Sequence, residues 1–140
     1  MPSHWLPYYW QDLIWRNTLA NSMMILIAGP YRSGTGDNSE KMAANVHFME
    51  SFALPVFRMG HIPVLGEWHA LPLLQLAGSK QIGDEAYEEI FHPIAMRLLE
   101  KCDAVLRVGG KSQGADLMVE VARQRNLKIY FSIDEIPPSS

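Results

Sequence analysis

Five consecutive apolar residues, Met24 to Ala28 (MILIA), run straight into the loop GPYRSGTGDN, and this junction restricts the possible folds more than any other feature of the chain. So short and wholly apolar a run, rich in β-branching, reads as a strand buried on both faces, the habit of parallel sheets. The pattern then repeats along the chain. Asp37 and Glu40 have capping-box spacing, and Met42, Val46, Met49 and Ala53 recur at helical period up to Gly60, with Pro55 expected to kink or end that helix early. His61 to Leu65 (HIPVL) reads as a second strand. Asp84 to Lys101 reads as a second helix with Tyr87, Ile90, Phe91, Ile94 and Leu98 on one face and a local break at Pro93. Asp103 to Val108 is a third strand, Ala115 to Arg125 a third helix, and Leu127 to Phe131 a fourth strand. Strand and helix in strict succession predict an α/β chain with a doubly wound parallel sheet of four to five strands and right-handed crossovers.

At 140 residues and 48% hydrophobic, the chain can fill one core, so a single domain is expected over 23–140. Residues 1–22 differ in texture, with Trp5, Tyr8, Tyr9, Trp10 and Trp15 gathered around Pro2 and Pro7. They read as an aromatic extension that packs on a partner subunit, as a surface helix on the chain's own core, or as a stretch ahead of a true start at Met23 or Met24. A net charge of −3 gives no basic face for a nucleic-acid polymer. Cys102 stands alone, which excludes an internal disulfide and a cysteine zinc cluster and points to a reducing compartment. No apolar run spans a bilayer, and no basic start precedes an apolar h-region, so a cytoplasmic protein without membrane contact is expected.

Ligands of open parallel sheets bind beyond the carboxyl ends of the strands, and this selects three loops. In the first, Gly29, Gly34 and Gly36 let backbone approach a ligand, and Arg32 offers a fork of donors to phosphate or carboxylate among Pro30, Tyr31 and Ser33. The loop is no Walker motif, since Thr35 stands where lysine is needed. The second loop, Gly66 to Leu71, gathers Glu67, Trp68 and His69, where a base could stack on the indole. A zinc site from His61, Glu67 and His69 lacks a recognisable spacing, and no metal or other cofactor is expected. In the third loop, Ser112 can cap the following helix or bond a ligand, and Gly114 permits close approach. Asp116 lies in the first helical turn, where the macrodipole also favours acids, and Glu120 sits within reach of Arg123 as an ion pair.

The segments ILIAGPYRSG, GHIPVLGEWHALPL, CDAVLRVGGKSQGAD and IYFSIDEIP, in this order and spacing, resemble the nucleoside 2-deoxyribosyltransferase superfamily over residues 24 to 137. The likeness is to its small bacterial members and, more distantly, to the deoxynucleoside 5′-monophosphate N-glycosidase. It implies a flavodoxin-like (Rossmann-like) fold, a homodimer or larger homo-oligomer, a nucleoside or nucleotide as ligand, and cleavage or transfer of its N-glycosidic bond through a carboxylate nucleophile. Gly29 to Gly34 match the family's first loop, Asp103 the acid opening the third strand, and Ser112 the polar residue six positions before the nucleophile. Six onward from Ser112 stands Met118, whose thioether cannot attack. An enzyme therefore needs a substitute carboxylate, with Asp116 first, Glu67 second and Glu120 third. The alternatives are a catalytically inactive nucleotide-binding or sensor module that keeps the pocket, and an interaction protein that uses the aromatic extension and no ligand.

Overall fold

The computed structural model describes residues 21–139, so the aromatic extension lies almost wholly outside the described residues. Four strands, β1 (Met24–Ala28), β2 (Ile62–Val64), β3 (Ala104–Arg107) and β4 (Lys128–Tyr130), form one all-parallel sheet in the order β2-β1-β3-β4. The helices are α1 (Ser39–Glu50), α2 (Ala53–Arg58), α3 (Gly66–Leu76), α4 (Glu85–Lys101) and α5 (Gln113–Gln124). This is the doubly wound α/β architecture that the alternation predicts, consistent with the flavodoxin-like fold that the resemblance implies.

Strand periodicity sorts the core into two layers. Ile25, Ile27, Ala104 and Leu106 face one side and pack with Met49, Ala53 and Val56 of α1 and α2. Leu26, Ala28 and Val105 face the other, against Leu99 of α4 and Ala115, Val119 and Ala122 of α5. The chain leaves β1 toward β2 across one face and later returns to β3, on β1's other side, across the opposite face. That reversal makes the carboxyl end of β1 the topological switch point, where an open sheet leaves a crevice.

Several boundaries differ from the expectation for local reasons. The N-cap of α1 is Asn38, whose Oδ1 accepts from the Lys41 amide at 3.0 Å; Asp37 instead adopts a positive φ of 60°. The helix stops at Glu50 and restarts at Ala53, because Pro55 has no N–H to return to the Ser51 carbonyl. Pro93 does not break α4, which runs through it for 17 residues under the Asp84 cap. Asp84 accepts from the amides of Lys80, Gln81 and Tyr87 and from the Ser79 hydroxyl. These bonds hold its carboxyl down at about 2. The largest correction concerns Gly66 to Leu71, expected as a loop: α3 begins at Gly66, directly after the buried Leu65.

Beyond β4, Ile136 enters the α1/α2 layer and the Ser139 amide donates to the Met59 carbonyl at 2.8 Å. None of the described helices is long and apolar enough to cross a membrane.

Gly29 follows β1 and lies against Val108. A Cβ there would sit 2.9 Å from the Val108 carbonyl oxygen and 3.2 Å from Met49 Cγ. Gly29→Ala is expected to lose about 2 kcal/mol through overpacking, read as a lower denaturation midpoint with an unchanged m-value.

Candidate functional site

A cavity of about 370 Å³ opens at the switch point, within the size range of small-molecule pockets. Its floor is the end of β1. Its walls come from the first loop, the first turns of α3 and α5, and one stripe of α4.

The first loop is held by its own hydrogen bonds. Buried Thr35 donates its amide to the Arg32 carbonyl at 3.2 Å, and its hydroxyl bonds the same oxygen. Gly34 and Gly36 take φ of 73° and 58°, which the turn requires. Asn45 of α1 donates to the Tyr31 carbonyl at 2.8 Å and fixes that residue against the cavity. Arg32 reaches the wall, but its guanidinium is already engaged. Nε and Nη2 donate to the two Asp37 oxygens at 2.7 and 3.0 Å, and Cζ lies 5.9 Å from the Tyr87 ring centre. The pair holds the Asp37 carboxyl below, and the Arg32 guanidinium above, its ordinary range.

The aromatic wall is a stripe on α4. Tyr87 and Phe91, one helical turn apart, stack at 4.8 Å between centres and 11°, and Tyr31 lies against Phe91 at 5.1 Å. The sequence placed both α4 residues on an apolar face, which reads equally well as core. His92, Ala95, Gln113 and Leu117 of the lining carry no sequence signal that separates them from helix surface.

Among the described residues, Glu67 supplies the one carboxylate on this wall. Only 9% of the residue is exposed, and Oε2 has no hydrogen-bond partner among the described residues. Burial pushes its pKa up to about 7, with its own backbone N–H opposing the shift. Its charge in turn adds to the burial that raises the Tyr31 phenol. Because α3 starts where a loop was expected, Glu67 sits in a helical first turn and lines the cavity beside Gly66, whereas Trp68 and His69 do not. His69 is exposed. Trp68 turns away from the cavity and donates its indole N–H to Glu50 at 2.8 Å, joining α3 to α1.

Ser112 is buried on the wall, where its hydroxyl caps α5 by accepting from the Ala115 amide at 3.2 Å. Gly29, Ser33, Gly114 and Met118 also line the cavity, so the thioether occupies the place where the resemblance calls for a nucleophile. Pro30 and Gly34 lie outside the lining; Pro30 packs against Gly109.

Three other expected residues lie elsewhere. Asp116, ranked first among the carboxylates, has a side chain 65% exposed and accepts from Arg107 at 3.1 Å, because position 116 lies on a different face of α5 from Met118. It borders a separate open cleft of about 690 Å³ beside β3 and β4. Glu120 is exposed, 3.9 Å from Arg123. Asp103 accepts from the Met24 amide at 2.9 Å, at the amino end of the sheet and so at the edge opposite the cavity. Among the described residues no cluster of three or more His, Cys, Asp or Glu side chains could hold a metal ion. No family model matches the chain, and no curated protein and no solved structure matches it either.

Proposed function

We propose that the cavity binds a nucleoside-like ligand and that Glu67 acts in cleavage of its N-glycosidic bond. The observation behind this reading is the enclosed, unpartnered Oε2 of Glu67 on an aromatic-walled cavity. A flat base finds ring surface in Tyr31, Tyr87 and Phe91. A carboxyl group with its pKa near neutrality suits proton transfer better than attack, which needs the ionised form. The bond from the anomeric carbon to the base breaks with its electron pair leaving on the base, to which Glu67 gives its proton. Water adds to the anomeric carbon and returns a proton to the Glu67 carboxylate, so the net reaction is hydrolysis. The departure from the family's covalent route follows from Met118.

Glu67→Gln is expected to lower base release, followed by chromatography, by about 10²- to 10⁴-fold. In the unaltered chain the rate should fall as pH rises through about 7, as the proton to be donated is lost. A Glu67→Gln variant within a few-fold of the parent at all pH values contradicts the assignment. The position of Met118 on the wall favours a second reading, a nucleotide-binding or sensor module without turnover. Thermal stabilisation by nucleosides with no freed base would select it.

A further inference from the structure

We propose that Asp37 is a specificity residue that withholds Arg32 from phosphate, so that the cavity takes an uncharged nucleoside or base in preference to a 5′-monophosphate. The inference rests on the nucleoside reading above and narrows its substrate class.

Among the described residues, Arg32 is the one lysine or arginine on the cavity wall. A guanidinium recognises phosphate through parallel N–H donors, and Asp37 occupies that fork with both of its oxygens. The carboxylate is held in place by the loop. Asp37 adopts a left-handed backbone conformation, φ 60°, which is uncommon for a residue with a side chain. Its amide donates to the hydroxyl of buried Thr35 at 3.2 Å, and that hydroxyl is itself tied to the Arg32 carbonyl. Loop, acid and guanidinium therefore form one closed unit. On its other side Arg32 faces the Tyr87 ring, so the aromatic wall also helps to fix the guanidinium.

A phosphate entering here must displace Asp37 and then lie beside it, with two like charges close together. The first turn of α5 is a second place where an anion could sit, but it shares the wall with Glu67, whose ionised form repels one. An uncharged ligand meets neither penalty. At about half exposure the ion pair itself is worth little. Its effect is on selectivity, through occupancy of the donors, and on stability it is small.

The test compares affinities of the four common deoxynucleosides and their 5′-monophosphates for the full chain, Asp37→Asn, Asp37→Gly, and Asp37→Gly combined with Arg32→Gln. Asparagine and glycine both accept the left-handed conformation, so either should preserve the loop. The parent should bind its best nucleoside at least about tenfold more tightly than the matching monophosphate. Either Asp37 substitution should tighten the monophosphate by about tenfold, leave the nucleoside within about twofold, and lose that gain when Arg32→Gln is added. A parent that prefers the monophosphate, or a ratio unmoved by both Asp37 substitutions, overturns the proposal. If none of the eight compounds binds any variant, the nucleoside reading falls. A pyrophosphate titration then decides the role of Asp37: capture by Asp37→Gly alone upholds it, and no difference from the parent removes it.

Discussion

Glu67→Gln should be more stable than the parent by roughly 3 kcal/mol at pH 8, shrinking to under about 1 kcal/mol at pH 5. Unfolded, this carboxyl ionises in the ordinary range; folded, it holds its proton up to about 7 because burial disfavours the charge. The folded state therefore binds the proton more tightly. The stability tied to that proton is fully present below the unfolded value and is lost as pH rises through the folded one. Glutamine resembles the protonated acid in shape and polarity and has no charge to bury, so its stability should be flat where the parent's declines. Urea denaturation of both proteins at pH 5 and pH 8 measures the difference, which corresponds to about 10 °C in Tm at pH 8. Equal pH profiles would mean that water or another group neutralises Glu67 in solution. A group that costs stability where it stands, on the wall of a cavity, is the pattern expected of a residue retained for chemistry.

His61→Leu should act in the opposite direction, costing about 3 kcal/mol at neutral pH without altering the affinity of the folded protein for any ligand of the cavity. The imidazole is 2% exposed. Nδ1 accepts from the Met23 amide at 3.1 Å, and Nε2 lies 2.8 Å from the Pro137 carbonyl, so Nε2 carries the hydrogen. One ring thus joins the start of β1, the start of β2 and the C-terminal segment that carries Ile136 into the core. Leucine fills much of the space and satisfies neither backbone group, each of which then pays for its burial. The expected result is a lower denaturation midpoint with an unchanged slope, together with unaltered ligand affinity under native conditions. A variant as stable as the parent would mean that water reaches both groups and that the C-terminal segment is loosely held. Together the two substitutions separate a site residue from a scaffold residue by the sign of their effect.

What could be read from the chain followed the range of the forces involved. MILIA is observed as β1 at the expected residues, because five apolar side chains leave a strand buried on both faces as the one solution. Asp84, placed at the head of the second helix, is the cap of α4. The first loop was recognised from its glycines, since positive φ is a local demand. Pro93 and the segment after Leu65 differ from the expectation because packing overrides the local signal that each carries. A proline suggests a break where α4 continues, and the position just after the second strand suggests a loop where Leu65, Ala70 and Leu74 bury a helix.

The sequence on its own determined the class of the fold, the order of its elements and the edge of the sheet where the cavity opens, because these depend on periodicity and on turn chemistry over a few residues. It could not determine which carboxylate faces the cavity. That was decided when α3 formed one residue ahead of Glu67 and carried it inward, while Arg107 drew Asp116 away to the other cleft. Nor could it show that Arg32 would be held by Asp37, or that Tyr87 and Phe91 would form a wall instead of a core. Burial and pairing are set by neighbours that only the folded chain brings together, and they fix the charge and the orientation of the groups on the cavity wall.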